Sequence, residues 1–111
     1  MVNTAAYQNV DYCEEHKEDA YNVNVKGAQN LANIAEHIGS KFIHISSDAI
    51  FSDGKNSYTE DHEPNPMNVY GKTKLAAERI LLNHNRNSLV IRGNVLYNRS
   101  SQTNASFLDW V

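Results

Sequence analysis

Three residues of this chain have the types and spacing to handle a carbonyl group: Ser47, Tyr70 and Lys74. Tyr70 and Lys74 stand at i and i+4 in a segment of helical periodicity, which puts both side chains on one helical face. A phenol has a pKa of about 10 and is a poor acid or base at neutral pH. A neighbouring ammonium favours the phenolate and lowers that value. The pair could then give a proton to a developing alkoxide or take one from an alcohol. Ser47 closes the run F-I-H-I-S-S, and ligands of open α/β sheets bind outside the carboxyl ends of strands. From there its hydroxyl could donate a hydrogen bond to a substrate carbonyl oxygen. Plainer readings stand beside these. Y-x-x-x-K also describes a solvated lysine next to a half-buried tyrosine, and Ser46-Ser47-Asp48 also suits loop capping.

Positioning these groups requires strands and helices in alternation, and the chain reads that way. Residues 1–4 look like the end of a strand, followed by an acidic turn over 11–16. Residues 18–38 carry Ala20, Val23, Gly27, Leu31, Ile34, Ala35 and Ile38 at three- and four-residue steps, one apolar stripe of a helix. Glu18 and Asp19 suit its N-terminus and Gly39 its C-terminal end. Asn24 falls on the stripe, so it lies either at a surface edge or buried with its amide hydrogen-bonded. Residues 41–46 form a strand whose near-continuous apolar run suits a parallel sheet covered on both faces. Residues 48–68 are loop, with an Asp53-Gly54 turn signal and Pro64-Asn65-Pro66. A second helix over 69–82 and a third strand over 88–92 follow. Residues 98–104 are a polar loop and 106–109 resemble a capped helix start. Strand-helix-strand-helix-strand alternation implies right-handed crossovers, hence an α/β doubly wound parallel sheet of three strands and two main helices.

Composition narrows the function. The chain has 111 residues, enough for one domain, with a net charge of −3 and no basic cluster, so nucleic acid is a poor partner. Its apolar runs are too short to span a membrane, and it has no secretory leader pattern. The single Cys13 excludes an internal disulfide and fits a reducing, cytoplasmic setting. No metal is expected.

N-T-A-A-Y, N-V-K-G-A-Q-N-L, F-I-H-I-S-S-D-A-I-F-S-D-G, Y-x-E-D-x-x-P-N-P-x-N-V-Y-G-K-T-K-L-A-A-E and V-I-R-G-N-V-L-Y occur in this order. Together they resemble the extended short-chain dehydrogenase/reductases, and most of all the dTDP-4-dehydrorhamnose reductase branch. The resemblance runs over residues 1–111, and its 47–78 segment is far more specific than a bare Y-x-x-x-K. It implies a Rossmann-like fold, NADP or NAD as cofactor, and a nucleotide-linked deoxysugar as substrate. Ser47 would orient the keto group and Tyr70 would be the proton donor. Lys74 would bind the nicotinamide ribose and lower the tyrosine pKa. Ala5, Ala6 and Tyr7 would lie along the cofactor, and Ser47 and Asp48 would touch the sugar. Asn24 matches the family's helix asparagine, which favours its buried reading.

The sequence also departs from the family. Ser47 stands where many such reductases have Thr, which keeps the hydroxyl. Val95 or a neighbour stands where an aromatic residue is common. Glycines occur only at 27, 39, 54, 71 and 93, so there is no G-x-x-G-x-x-G to hold a pyrophosphate. Residues 1–111 are therefore expected to be the catalytic centre of one NAD(P)-binding domain, without its N-terminal fingerprint or a C-terminal substrate lobe. Such a chain is expected to be marginal in stability or homo-oligomeric. A related branch serves as the regulatory β subunit of methionine adenosyltransferase, and the motifs do not separate the two. A nucleotide-sugar epimerase is a third reading. Ala49 after the aspartate, where dehydratases place Glu, counts against dehydration.

Overall fold

The computed structural model describes residues 1–52, 57–84 and 87–94. The Asp53-Gly54 turn signal, Val95 and the segments 98–104 and 106–109 lie outside the described residues. Three parallel strands, β1 (Val2–Asn3), β2 (Phe42–Ser47) and β3 (Ser88–Gly93), pair in the order β1-β2-β3. Val2 is opposite Ile43, and the β2–β3 register runs from Phe42–Ser88 to Ser47–Gly93. Both crossovers step in the same direction across the sheet. Right-handed connections therefore deliver both sets of helices to one face.

The first crossover contains α1 (Val10–Glu15), where the sequence suggested only an acidic turn. Asn9 caps this helix by accepting from the Tyr12 amide, and Cys13 anchors it by being fully buried. The long helix follows as α2 (Lys17–Tyr21), a π-helical segment (Asn22–Gly27) and α3 (Ala28–His37). It ends as expected at Gly39, whose φ of 69° is the left-handed conformation that glycine adopts freely.

The expected apolar stripe is displaced. Ala20, Asn24, Val25, Ala28, Ala32 and Ala35 are buried, whereas Ile34 and Ile38 are 51% and 64% exposed. A π turn closes i→i+5 bonds and inserts one residue into the winding. Everything after it rotates, so a stripe read at constant periodicity drifts off the buried face.

The second crossover helix, α4 (Val69–His84), packs beside α3 on the same sheet face, with Ala32, Ala35, Phe42 and Leu81 forming a buried cluster. Only this face is covered among the described residues. On the other, Val2, Ile43 and Leu89 stand in register, and Leu89 and Ile91 are about half exposed. No helix of the described residues is long and apolar enough to cross a membrane.

Candidate active site

β2 carries Ser47 to the carboxyl end of the sheet, where a short 3-10 turn (Asp48–Ile50) begins. The Ser47 hydroxyl caps this turn, accepting from the Ala49 amide at 3.1 Å, and contacts Asp48 Oδ1 at 3.3 Å. The capping reading is thus realised. It does not exclude the other role, because Ser47 ends β2 at the turn against which the first turn of α4, carrying Tyr70, is packed.

Tyr70 occupies the first turn of α4. Asn68 caps that turn by accepting from the Gly71 amide at 2.7 Å, and Glu14 of α1 accepts from the Val69 amide at 2.6 Å. A carboxylate there also suits the positive end of the helix dipole. Gly71 presses against the 3-10 turn. A Cβ on it would collide with the Ala49 carbonyl oxygen and lie 3.0 Å from Pro66 Cβ. Close approach of helix and turn sets the first turn of α4 beside the end of β2.

Burial pushes the Tyr70 phenol above its ordinary pKa. The Ser47 hydroxyl pulls the other way, and Cys13 and Asp48 add to the rise. Lys74 does not supply the expected lowering. It is 3% exposed and turns its ammonium onto the Ile45 carbonyl oxygen at 2.7 Å. Burial in turn lowers the lysine's own pKa, opposed by Glu78. The ammonium is thus held against a strand carbonyl near the carboxyl end of β2.

The segment after β1 is fixed by two asparagines. Asn3 Oδ1 accepts from the Ala5 amide at 3.0 Å. Asn24, 1% exposed, embraces Tyr7: its Oδ1 accepts from the Tyr7 amide at 2.8 Å and its Nδ2 donates to the Tyr7 carbonyl at 3.1 Å. The buried reading of Asn24 is the one the structure has. Ala5 is exposed and Ala6 half-buried, so this stretch presents small side chains and a fixed backbone near the sheet's carboxyl edge.

Sequence reasoning missed several supporting groups. Glu14 and Cys13 act from a helix that was read as a turn, although Asn9 three residues before Tyr12 was a capping signal. Glu78, 1% exposed, pairs with Arg92 at 2.8 Å, and the Arg92 guanidinium sits 5.4 Å from the Phe51 ring centre. No local pattern links a helix carboxylate to a residue on the next strand. Phe51, Glu78 and Arg92 line a cavity of about 910 Å³ together with Asp48, Tyr58 and Asn94. Its hydroxyl, carboxylate and aromatic lining offers hydrogen-bond partners to a polar ligand.

Comparison with known proteins agrees with this fold. Residues 1–109 match the RmlD substrate binding domain. The chain is 41% identical over 97 residues to methionine adenosyltransferase 2 subunit beta of Xenopus tropicalis, covering 87% of this chain and 29% of that protein. It is 39% identical over 94 residues to the dTDP-4-dehydrorhamnose reductase of Mycolicibacterium smegmatis, covering 83% and 29% respectively. Among solved structures, the dTDP-4-dehydrorhamnose reductase of Yersinia enterocolitica superposes with a TM-score of 0.87 at 31% identity, over 96% of this chain and 38% of that one. The Bacillus anthracis reductase in complex with NADP gives 0.83 at 33% identity, over 91% and 36%. The chain thus spans about a third of the length of the relatives it matches. Three parallel strands in this order, the two crossovers and the match over residues 1–109 place the chain in the RmlD substrate-binding-domain family.

Proposed function

We propose that this chain forms the catalytic centre of an NAD(P)-binding domain that reduces the 4-keto group of a nucleotide-linked deoxysugar, as in dTDP-rhamnose formation. The observation that carries the proposal is the placement of Ser47 at the carboxyl end of β2 and Tyr70 in the first turn of α4, packed against the turn that follows β2. Ser47 hydrogen-bonds the substrate carbonyl oxygen and orients it. As that oxygen gains charge, Tyr70 donates its phenolic proton, and C=O becomes CH–OH. A raised phenol pKa keeps Tyr70 protonated at neutral pH, the form a proton donor needs. Asp48 faces the sugar from the turn that Ser47 caps.

The residues present fit a nicotinamide cofactor, which when bound supplies the hydride and is itself oxidised. Ala5 and Ala6 leave room for a flat ring, and the backbone at Ala5 and Tyr7 is held rigidly by Asn3 and Asn24. Lys74 holds a positive charge near the strand end, able to exchange the Ile45 carbonyl for ribose hydroxyls. We place the protein in the cytoplasm, in keeping with one buried thiol.

The test is a chimera in which residues 1–111 replace the matching third of the Yersinia enterocolitica reductase, assayed with dTDP-4-dehydrorhamnose and NADPH. Turnover is expected, with Tyr70→Phe lowering kcat by about 10²–10⁴ while cofactor binding persists. Full turnover in Tyr70→Phe would refute the assigned role.

A second reading rests on the 41% identity to methionine adenosyltransferase 2 subunit beta. Here the same fold is a regulatory binding module. It predicts that the chimera is inactive and that the protein co-purifies with a methionine adenosyltransferase catalytic subunit.

A further inference from the structure

Thr73 stands one residue before Lys74 on α4 and is 5% exposed. Its hydroxyl has one proton to donate and lone pairs to accept. The proton goes to the Tyr70 carbonyl oxygen at 2.8 Å. In return Thr73 Oγ1 accepts from Asn24 Nδ2 at 3.0 Å. Asn24 is thereby saturated. Its Oδ1 takes the Tyr7 amide proton, one Nδ2 proton goes to the Tyr7 carbonyl and the other to Thr73. Because the Tyr7 amide can only donate, the orientation of the Asn24 amide is determined by this set of partners.

The result is a buried chain of hydrogen bonds from the backbone of Tyr7, through Asn24 and Thr73, to the backbone of Tyr70. It joins the segment read as the cofactor strip to the helical turn that carries the proton donor. Asn24 lies within the π segment and is buried there beside Val25. We propose that Thr73 is a positioning residue that couples the cofactor strip at Ala5–Tyr7 to the orientation of Tyr70. Its role in turnover rests on the reductase reading; its structural coupling does not.

Without the Thr73 hydroxyl, one Asn24 N–H is buried with no partner, and the amide is free to rotate away from Tyr7. The coupling is therefore readable in the 111-residue chain itself, by hydrogen exchange at the Tyr7 amide. Thr73→Val should speed that exchange roughly tenfold or more, with exchange at Phe42 and Ile45 in β2 little changed. Thr73→Ser, which keeps the hydroxyl, should stay within about twofold of the parent. Unchanged Tyr7 exchange in folded Thr73→Val would overturn the proposal. If that variant does not fold, the parent chain decides. A protected Asn24 Nδ2 proton with a cross-peak to the Thr73 hydroxyl is expected, and a freely exchanging side-chain amide would sink the idea.

In an active chimera, Thr73→Val should lower kcat and raise the KM for NADPH together, by about tenfold each, with Thr73→Ser restoring both. A loss of stability alone would leave both constants unchanged in the surviving folded fraction, and that result would also overturn the proposal. An inactive parent chimera would refute the reductase reading while leaving the exchange result standing.

Discussion

Gly71 meets the carbonyl oxygen of Ala49 so closely that no Cβ fits between α4 and the turn that follows β2. The obstructing atom is backbone, which cannot swing aside as a side chain would. Gly71→Ala should therefore push α4 away from the 3-10 turn and separate Tyr70 from Ser47. The expected cost is about 1–3 kcal/mol of stability, the usual range for overpacking. It is read as a shift of the urea midpoint, together with loss of turnover in the chimera. A variant as stable and active as the parent would show that helix and turn can separate without harm.

The Glu78–Arg92 pair is asymmetric, with Glu78 1% exposed and Arg92 partly open to solvent. Removing the arginine leaves a carboxylate buried without its counter-ion. Arg92→Met should cost roughly 3 kcal/mol in urea unfolding at pH 7. The double change Arg92→Met with Glu78→Gln should recover part of that loss, since the unpaired carboxylate is gone. Equal destabilisation in single and double variants would place the cost in packing around Phe51 instead.

His44 is buried against Asn3, whose Nδ2 lies 3.2 Å from the ring Nδ1. Burial, helped by the Lys74 charge, lowers its pKa from 6.5 to about 4. The folded state thus prefers neutral imidazole, while the unfolded chain takes up a proton below pH 6.5. Stability from this group is complete above pH 6.5 and falls as the pH drops from 6.5 towards 4. The loss should be on the order of 2–3 kcal/mol, and His44→Gln should flatten it. Denaturation midpoints at several pH values check both the slope and its removal.

Asn24→Ala should free the Tyr7 backbone and remove one hydrogen bond each from the Tyr7 amide, the Tyr7 carbonyl and the Thr73 hydroxyl. A loss of about 2–4 kcal/mol is expected from these unmet hydrogen bonds. Thermal unfolding would register it, and Asn24→Asp should not rescue, because a carboxylate cannot donate to the Tyr7 carbonyl or to Thr73.

Much of this architecture was legible in the residues. The strand at Phe42–Ser47 and the helix carrying Tyr70 announce themselves by β-branched residues in one case and by helical spacing in the other. Ser47 and the turn carrying Tyr70 lie at one end of the sheet because a strand end and the start of the following crossover helix share that edge, which topology alone implies. The rest depended on tertiary context. The stripe through Ile34 and Ile38 failed because constant periodicity has no term for one extra residue in a turn. The acidic stretch around Cys13 became a helix because a buried thiol and an Asn9 cap outweighed its charges. Lys74 went to the Ile45 carbonyl because a buried ammonium takes the nearest acceptor, a choice invisible in i, i+4 spacing.

The widened turn at Asn22–Gly27 has a consequence for how this helix can change. A single-residue deletion there would let the backbone relax into uniform α winding, and the helix by itself would gain regularity. The same deletion would swing Asn24 off the sheet-facing side and dismantle the link from Tyr7 to Tyr70. At this position, regular winding of the helix and the buried link from Tyr7 to Tyr70 make opposite demands on the backbone.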